Sequence, residues 1–179
     1  MKRIYIIFVL IILSPRAFSC SCGMISDLQT EQKESYDEHN LIFIGYAISD
    51  INEGGYYTMK IIEVLKGDYR DSTIVGQYLN SCSQVPRKRD GTWLVYTNIS
   101  KKNKTIDIGD CGISRSFNFP FLLSDNPKVS VPPPVKDIDY ETSPADWYLE
   151  MAIKEAEYKQ RALVVLREEI NQIRRLVKE

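Results

Sequence analysis

Residues 41–65 read Leu41-Ile42-Phe43-Ile44-Gly45-Tyr46-Ala47-Ile48, then Ser49-Asp50-Ile51, then Asn52-Glu53-Gly54-Gly55, then Tyr56 to Leu65. The first run is rich in β-branched and aromatic residues and reads as a strand. Asn52 to Gly55 has the composition of a turn. In the second run Tyr57, Met59, Ile61 and Glu63 alternate with Thr58, Lys60, Ile62 and Val64, so a second strand follows. Its near-continuous apolar end, Ile61 to Leu65, suggests burial on both sides. Two strands joined by a tight turn set a mainly β fold.

The pattern repeats downstream. Lys66-Gly67-Asp68 closes the second strand, and Ser72 to Leu79 reads as a third. Gln84 to Gly91 is a charged loop, Thr92 to Thr97 a fourth strand, and Thr105 to Ile108 a short fifth. Short strands at roughly ten-residue spacing point to a sandwich or a small barrel. Upstream, Gly23 to Asn40 reads as a loop with a short helix. Phe117 to Leu123 is an apolar patch suited to capping the barrel. Pro132-Pro133-Pro134 marks a stiff linker. Ser143-Pro144-Ala145-Asp146 is a helix start, and no Gly or further Pro follows. Leu149, Ala152, Ala156, Lys159, Leu163, Leu166, Ile170, Ile173 and Val177 then step by threes and fours, a coiled-coil-like stripe broken at Lys159 on a helix of roughly 50 Å. Its aromatic start, Trp147 and Tyr148, suits packing on the barrel, with the distal half extending beyond the body or self-associating.

The chain start carries an export signature. Lys2 and Arg3 precede an apolar run from Ile4 to Leu13, and Ala17-Phe18-Ser19 suits cleavage. The expected division is a signal peptide over 1–19, a β domain over 20–124, a linker over 125–142 and a helix over 143–179. The 179 residues carry a net charge of −1. Without Lys2, Arg3 and Arg16 the mature chain holds 20 basic and 24 acidic residues, with no basic cluster, which argues against nucleic acid. No later run is long and apolar enough for a transmembrane span. Ala17-Phe18-Ser19-Cys20 also raises a lipid anchor on Cys20, although Ala17 and Phe18 depart from a typical lipobox. Lipidation would leave an odd number of cysteines.

All four cysteines, Cys20, Cys22, Cys82 and Cys111, follow the cleavage site, so a disulfide framework is expected. Cys20 and Cys22 are too close to pair comfortably with each other. They reach Cys82 and Cys111 in one of two pairings. A zinc site made of the four fits poorly, because structural sites favour C-x₂₋₄-C pairs. His39 is the only histidine, and no nucleophile–base pair, phosphate loop or calcium-loop spacing stands out. No cofactor and no enzymatic activity are expected.

Together, a mature Cys20-Ser21-Cys22 start, Phe43-Ile44-Gly45, the Tyr57–Gly67 strand, a lone Cys82, Trp93-Leu94-Val95-Tyr96 and a late Cys111 resemble the tissue inhibitor of metalloproteinases group, in particular its minimal bacterial, netrin-like members. The resemblance runs from about Cys20 to Phe121. It implies a five-stranded OB-fold, a Greek-key barrel, carrying a long C-terminal α-helix, with Cys20–Cys82 and Cys22–Cys111 as the bridges. It also implies inhibition of a secreted zinc metalloprotease. The Cys20 amine and carbonyl would chelate the protease's zinc, Ser21 would enter its specificity pocket, and Cys22, Asn80 and Ser81 would complete the edge. The chain lacks the third bridge of the animal inhibitors and has a linker and helix in place of their second domain. The alternative is a non-enzymatic envelope binding or assembly module that interacts, or self-associates, through the 143–179 helix.

Overall fold

The computed structural model describes residues 27–109, 112–121 and 144–178. The expected signal peptide, Cys20, Ser21, Cys22, Cys111, the proline-rich linker and the Ser143 cap lie outside the described residues. Helix α1 spans Leu28–Glu38, and the strands are β1 Leu41–Ala47, β2 Tyr56–Lys66, β3 Thr73–Gln77, β4 Ser83–Gln84, β5 Thr92–Thr97, β6 Thr105–Ile106, β7 Ile108–Gly109 and β8 Arg115–Ser116. Helix α2 spans Pro144–Leu176. Six strands form one curled sheet in the order β6-β3-β2-β1-β5-β8, and β4 pairs with β7 separately. The fold is mainly β with a C-terminal helix.

The apolar end of β2 is not buried on both sides, since Ile62 is exposed. Register explains the composition. Ile44 faces Glu63 while Gly45 faces Ile61, and Ile42 faces Lys66 while Phe43 faces Val64. Ile62 and Leu65 are therefore extra residues, two bulges that interrupt the alternation. A bulge bends its strand and adds right-handed twist, which suits the curl of the sheet.

The strands buried on both faces are β1 and β5. Leu41, Phe43, Trp93 and Val95 join Tyr57, Met59, Ile74, Ile106 and Ile108 in one core cluster. Ile42, Ile44, Leu94 and Tyr96 point the other way, into a second cluster with Ile113 and the α2 residues Leu166, Ile170 and Ile173. The C-terminal half of α2 thus packs on the sheet, and Leu149 and Ile153 in its first half are exposed. This differs from the expectation that the distal half extends beyond the body. Helix α1 closes the same side. Its N-cap Asp27 accepts a 2.9 Å bond from the Thr30 amide, which satisfies one orphan donor. Leu28 and Tyr36 pack against the second cluster. The Lys66 ammonium donates to the Tyr36 carbonyl and lies 4.3 Å above its ring.

Three loop readings also change. The charged loop from Gln84 contains the end of β4 and a 3₁₀ turn, Lys88–Asp90. The fifth strand divides at Asp107. β6 runs parallel to β3, while β7 leaves to pair with β4. The apolar patch at Phe117 is preceded by β8, which pairs with β5.

Candidate functional site

The ends of β1 and β3 and the start of β2 lie together, because the three strands run antiparallel. Two turns meet there. In the β1–β2 turn, the Asn52 side chain accepts from the Gly54 and Tyr56 amides, both at 3.0 Å. Gly55 sits at φ +78°, a left-handed conformation that glycine adopts without a Cβ penalty. Its carbonyl accepts a 2.7 Å bond from the Tyr78 amide. That bond joins the turn to the segment leaving β3.

This segment, residues 78–82, carries two of the sequence-predicted site residues. Asn80 and Ser81 are exposed, and Leu79 before them is 58 % exposed. The buried Ser83 hydroxyl accepts from the Leu79 and Asn80 amides at 3.2 and 3.4 Å. The Asn80 side chain accepts a 2.8 Å bond from the Cys82 amide, and the Asn80 carbonyl accepts at 3.0 Å from the Ser83 amide. An Asx turn of this kind fixes a loop through its own side chain. Cys82 is disulfide-bonded, and its neighbour Ser83 is paired with Gly109. The turn is therefore pinned at both ends and displays Leu79, Asn80 and Ser81 outward.

Cys20, Ser21 and Cys22, the other members of the predicted edge, and both predicted bridges as pairs, fall outside the described residues. Sequence reading missed the contribution of the β1–β2 turn, where Ile48, Ile51 and Tyr56 are exposed at the same end of the sheet as Tyr78 and Leu79. The signal was present as turn chemistry flanked by apolar residues, but its proximity to Asn80 follows only from strand pairing.

A second polar centre lies on the helix side. The Glu169 carboxylate accepts from Arg115 Nη2 at 2.5 Å, the Tyr96 hydroxyl at 2.6 Å and Gln32 Nε2 at 2.7 Å. Arg115 also donates to the Ile113 carbonyl at 2.8 Å. Burial first, and then the Glu169 charge, push the Tyr96 phenol far above the ordinary tyrosine range. With its oxygens occupied, Glu169 acts as a cross-tie between α1, α2 and the sheet. A cleft of about 350 Å³ opens beside it between Tyr36 and Leu176. His39 caps α1, with Nδ1 at 2.7 Å from the Ser35 carbonyl and its ring edge-on to Tyr96. Among the described residues, no cluster of His, Cys, Asp or Glu is arranged to hold a metal ion, and no helix is long and apolar enough to cross a membrane. No family model matches the chain, and no curated protein matches it in sequence.

Proposed function

We propose that this is an exported, disulfide-stapled protein of the OB-fold type that binds the cleft of a zinc metalloprotease through an edge made of Cys20, Ser21, Cys22, Asn80 and Ser81. The observation that carries the reading is the pinned, outward turn at Leu79–Ser81 directly before the disulfide-bonded Cys82. A binding loop held in one conformation loses less entropy on association. The strand order β5-β1-β2-β3 is a Greek-key order, three consecutive antiparallel strands with a fourth returning beside the first. It supports the Greek-key connectivity that the resemblance implies.

In this reading Cys20 is the first residue after signal cleavage and forms a bridge to Cys82, while Cys22 bridges to Cys111. The free α-amine and the carbonyl of Cys20 form a five-membered chelate on the target's zinc, which keeps an open position for substrate. Ser21 enters the adjoining pocket, and Asn80 and Ser81 lie alongside.

The test compares the mature chain beginning at Cys20 with a chain bearing one added alanine before it, against a panel of secreted zinc metalloproteases. The added residue moves the amine away from the metal, so inhibition falls by at least about 100-fold while the fold is kept. Equal inhibition by both chains, or none by the mature chain against any protease, refutes the proposal.

A further inference from the structure

A cleft lies at the opposite end of the sheet from Asn80 and Ser81. Ile42 faces Lys66 and Leu41 faces Thr97, so the start of β1 lies between the ends of β2 and β5. The connections that leave those two strands, residues 67–72 and 98–104, rise on either side of Asn40 and enclose about 610 Å³. Both walls are locked to Asn40. Its amide donates to the Asn98 side chain at 2.8 Å, and its side chain accepts from the Ile99 amide at 3.0 Å. Gly67, at φ +101°, comes so close that a Cβ would lie 2.5 Å from the Asn40 carbonyl oxygen. Tyr69 is half-buried in the first wall, and its hydroxyl donates to the Thr73 carbonyl at 2.9 Å, which fixes the ring. In the second wall the Lys104 amide donates to the Ser100 carbonyl at 2.8 Å. Lys104 sits at φ +55° and is the one non-glycine residue with a positive φ among the described residues. A conformation of that kind persists only where the surroundings enforce it.

We propose that this cleft binds an acidic glycan, with a pyranose ring on Tyr69 and its anionic group at Lys101 and Lys104. Charge is divided between the walls. Lys101 and Lys104 line one side, while Asp68, Arg70 and Asp71 line the other. Arg70 and Asp68 pair at 3.2 Å, but their side chains are 88 % and 82 % exposed, so the pair holds loosely and leaves both groups open to exchange. A cleft divided in this way matches a ligand that carries an anion on one side and hydroxyl donors on the other. Ammonium groups bind a carboxylate or sulfate through charge-assisted bonds, and carboxylates accept from sugar hydroxyls. The C–H face of a pyranose covers the apolar face of a ring whose hydroxyl is already hydrogen-bonded. The volume falls within the range of small-ligand sites, about 300–1,000 Å³, and admits a short oligosaccharide. A nucleic acid fits less well. Single strands use successive stacking rings and a positive groove, whereas here one ring stands beside two carboxylates.

Heteronuclear NMR titration of the mature chain with a galacturonate tetrasaccharide reads affinity and location together. Saturable shifts at the Tyr69, Lys101 and Lys104 amides are expected, with a dissociation constant of about 0.1–1 mM. Neutral cellotetraose should bind at least about 10-fold more weakly. A heparin tetrasaccharide titrated in parallel separates sulfated from carboxylated sugars, and saturable binding of either supports the proposal. Lys101→Ser with Lys104→Gly removes both ammonium groups, and glycine suits the positive φ, so the fold is kept while affinity falls at least about 10-fold. Lys102→Ser, on the same turn but outside the cleft lining, should change affinity by less than about 2-fold. Asp71→Ala separates sugar recognition from plain charge attraction. The substitution makes the cleft more positive, which would tighten a simple anion, whereas the loss of a hydroxyl acceptor should weaken binding about 3–10-fold. The proposal is overturned by no saturable shift at the cleft with either acidic tetrasaccharide, or by equal binding of cellotetraose. Unchanged affinity in the double lysine variant, or unchanged or tighter binding after Asp71→Ala, overturns it as well. Tighter binding of a thymidine tetranucleotide than of both acidic sugars would make the cleft a nucleic-acid site instead.

Discussion

Arg115 and Glu169 meet at 2.5 Å with side chains only 4 % and 2 % exposed. One stands on β8 and the other on α2, so the pair clamps the helix to the sheet edge. Removing a single partner leaves a buried charge uncompensated, which costs about 3–5 kcal/mol. Arg115→Met and Glu169→Leu should each lower stability by that much. The double variant should be less destabilised than the two losses added, because the remaining charge goes with its partner. Urea unfolding of the four proteins measures the coupling. Simple additivity would mean that the pair does not act as a unit.

The two buried phenols, Tyr57 and Tyr96, separate by partner. Tyr96 donates to Glu169, whereas the Tyr57 hydroxyl has no hydrogen-bond partner among the described residues. Tyr96→Phe should therefore cost about 1–3 kcal/mol, since the acceptor is a charged carboxylate. Tyr57→Phe should be neutral or stabilising by about 1 kcal/mol.

Both phenols also link stability to alkaline pH. Burial, aided by Asp107 for Tyr57 and Glu169 for Tyr96, raises their folded-state values above the ordinary value of 10.0. The stability that each contributes is complete below that pH and declines as pH rises above it. In an absorbance titration, exposed tyrosines should ionise first. The last two should ionise together with the loss of circular dichroism, and ionisation of all the tyrosines with the fold intact would contradict this.

Gly76 and Gly109 make a matched comparison. A Cβ on Gly76 would lie 2.1 Å from the Tyr57 ring, while one on Gly109 would meet nothing within 4 Å. The ring of Tyr57 covers the bare backbone of its cross-strand partner. Gly76→Ala should thus destabilise by about 2–3 kcal/mol, and Gly109→Ala should change stability by no more than about 0.5 kcal/mol. Thermal denaturation of both variants decides the matter.

Strands β1, β2 and β5 were legible from the sequence because β-branched and aromatic runs end in turn residues. The bulges were not. Extra residues at Ile62 and Leu65 produce the same apolar run as a strand buried on two faces. The stripe on α2 showed which face is apolar, but a uniform period carries no information about which end is anchored. That was settled by Glu169 finding Arg115, a pairing 54 residues apart that no local pattern encodes. Asn80 and Ser81 were placed by resemblance. Their proximity to Gly55 depends on the pairing of Tyr56 with Gln77, which is a tertiary fact.

If the proposed edge binds a protease, Asn80 separates a residue that holds that edge from one that touches the target. Its side-chain oxygen accepts from the Cys82 amide at 2.8 Å. Asn80→Ala removes that bond, frees the turn and should weaken protease inhibition by about 5–10-fold, near 1 kcal/mol, through lost preorganisation. Hydrogen exchange at the Cys82 amide should speed up in the free protein. Asn80→Asp keeps an oxygen at the same place, so it should restore both the slow exchange and the inhibition. If aspartate restores the exchange rate without the inhibition, the amide itself contacts the protease. If alanine changes neither, the turn is held by Ser83 and the disulfide alone.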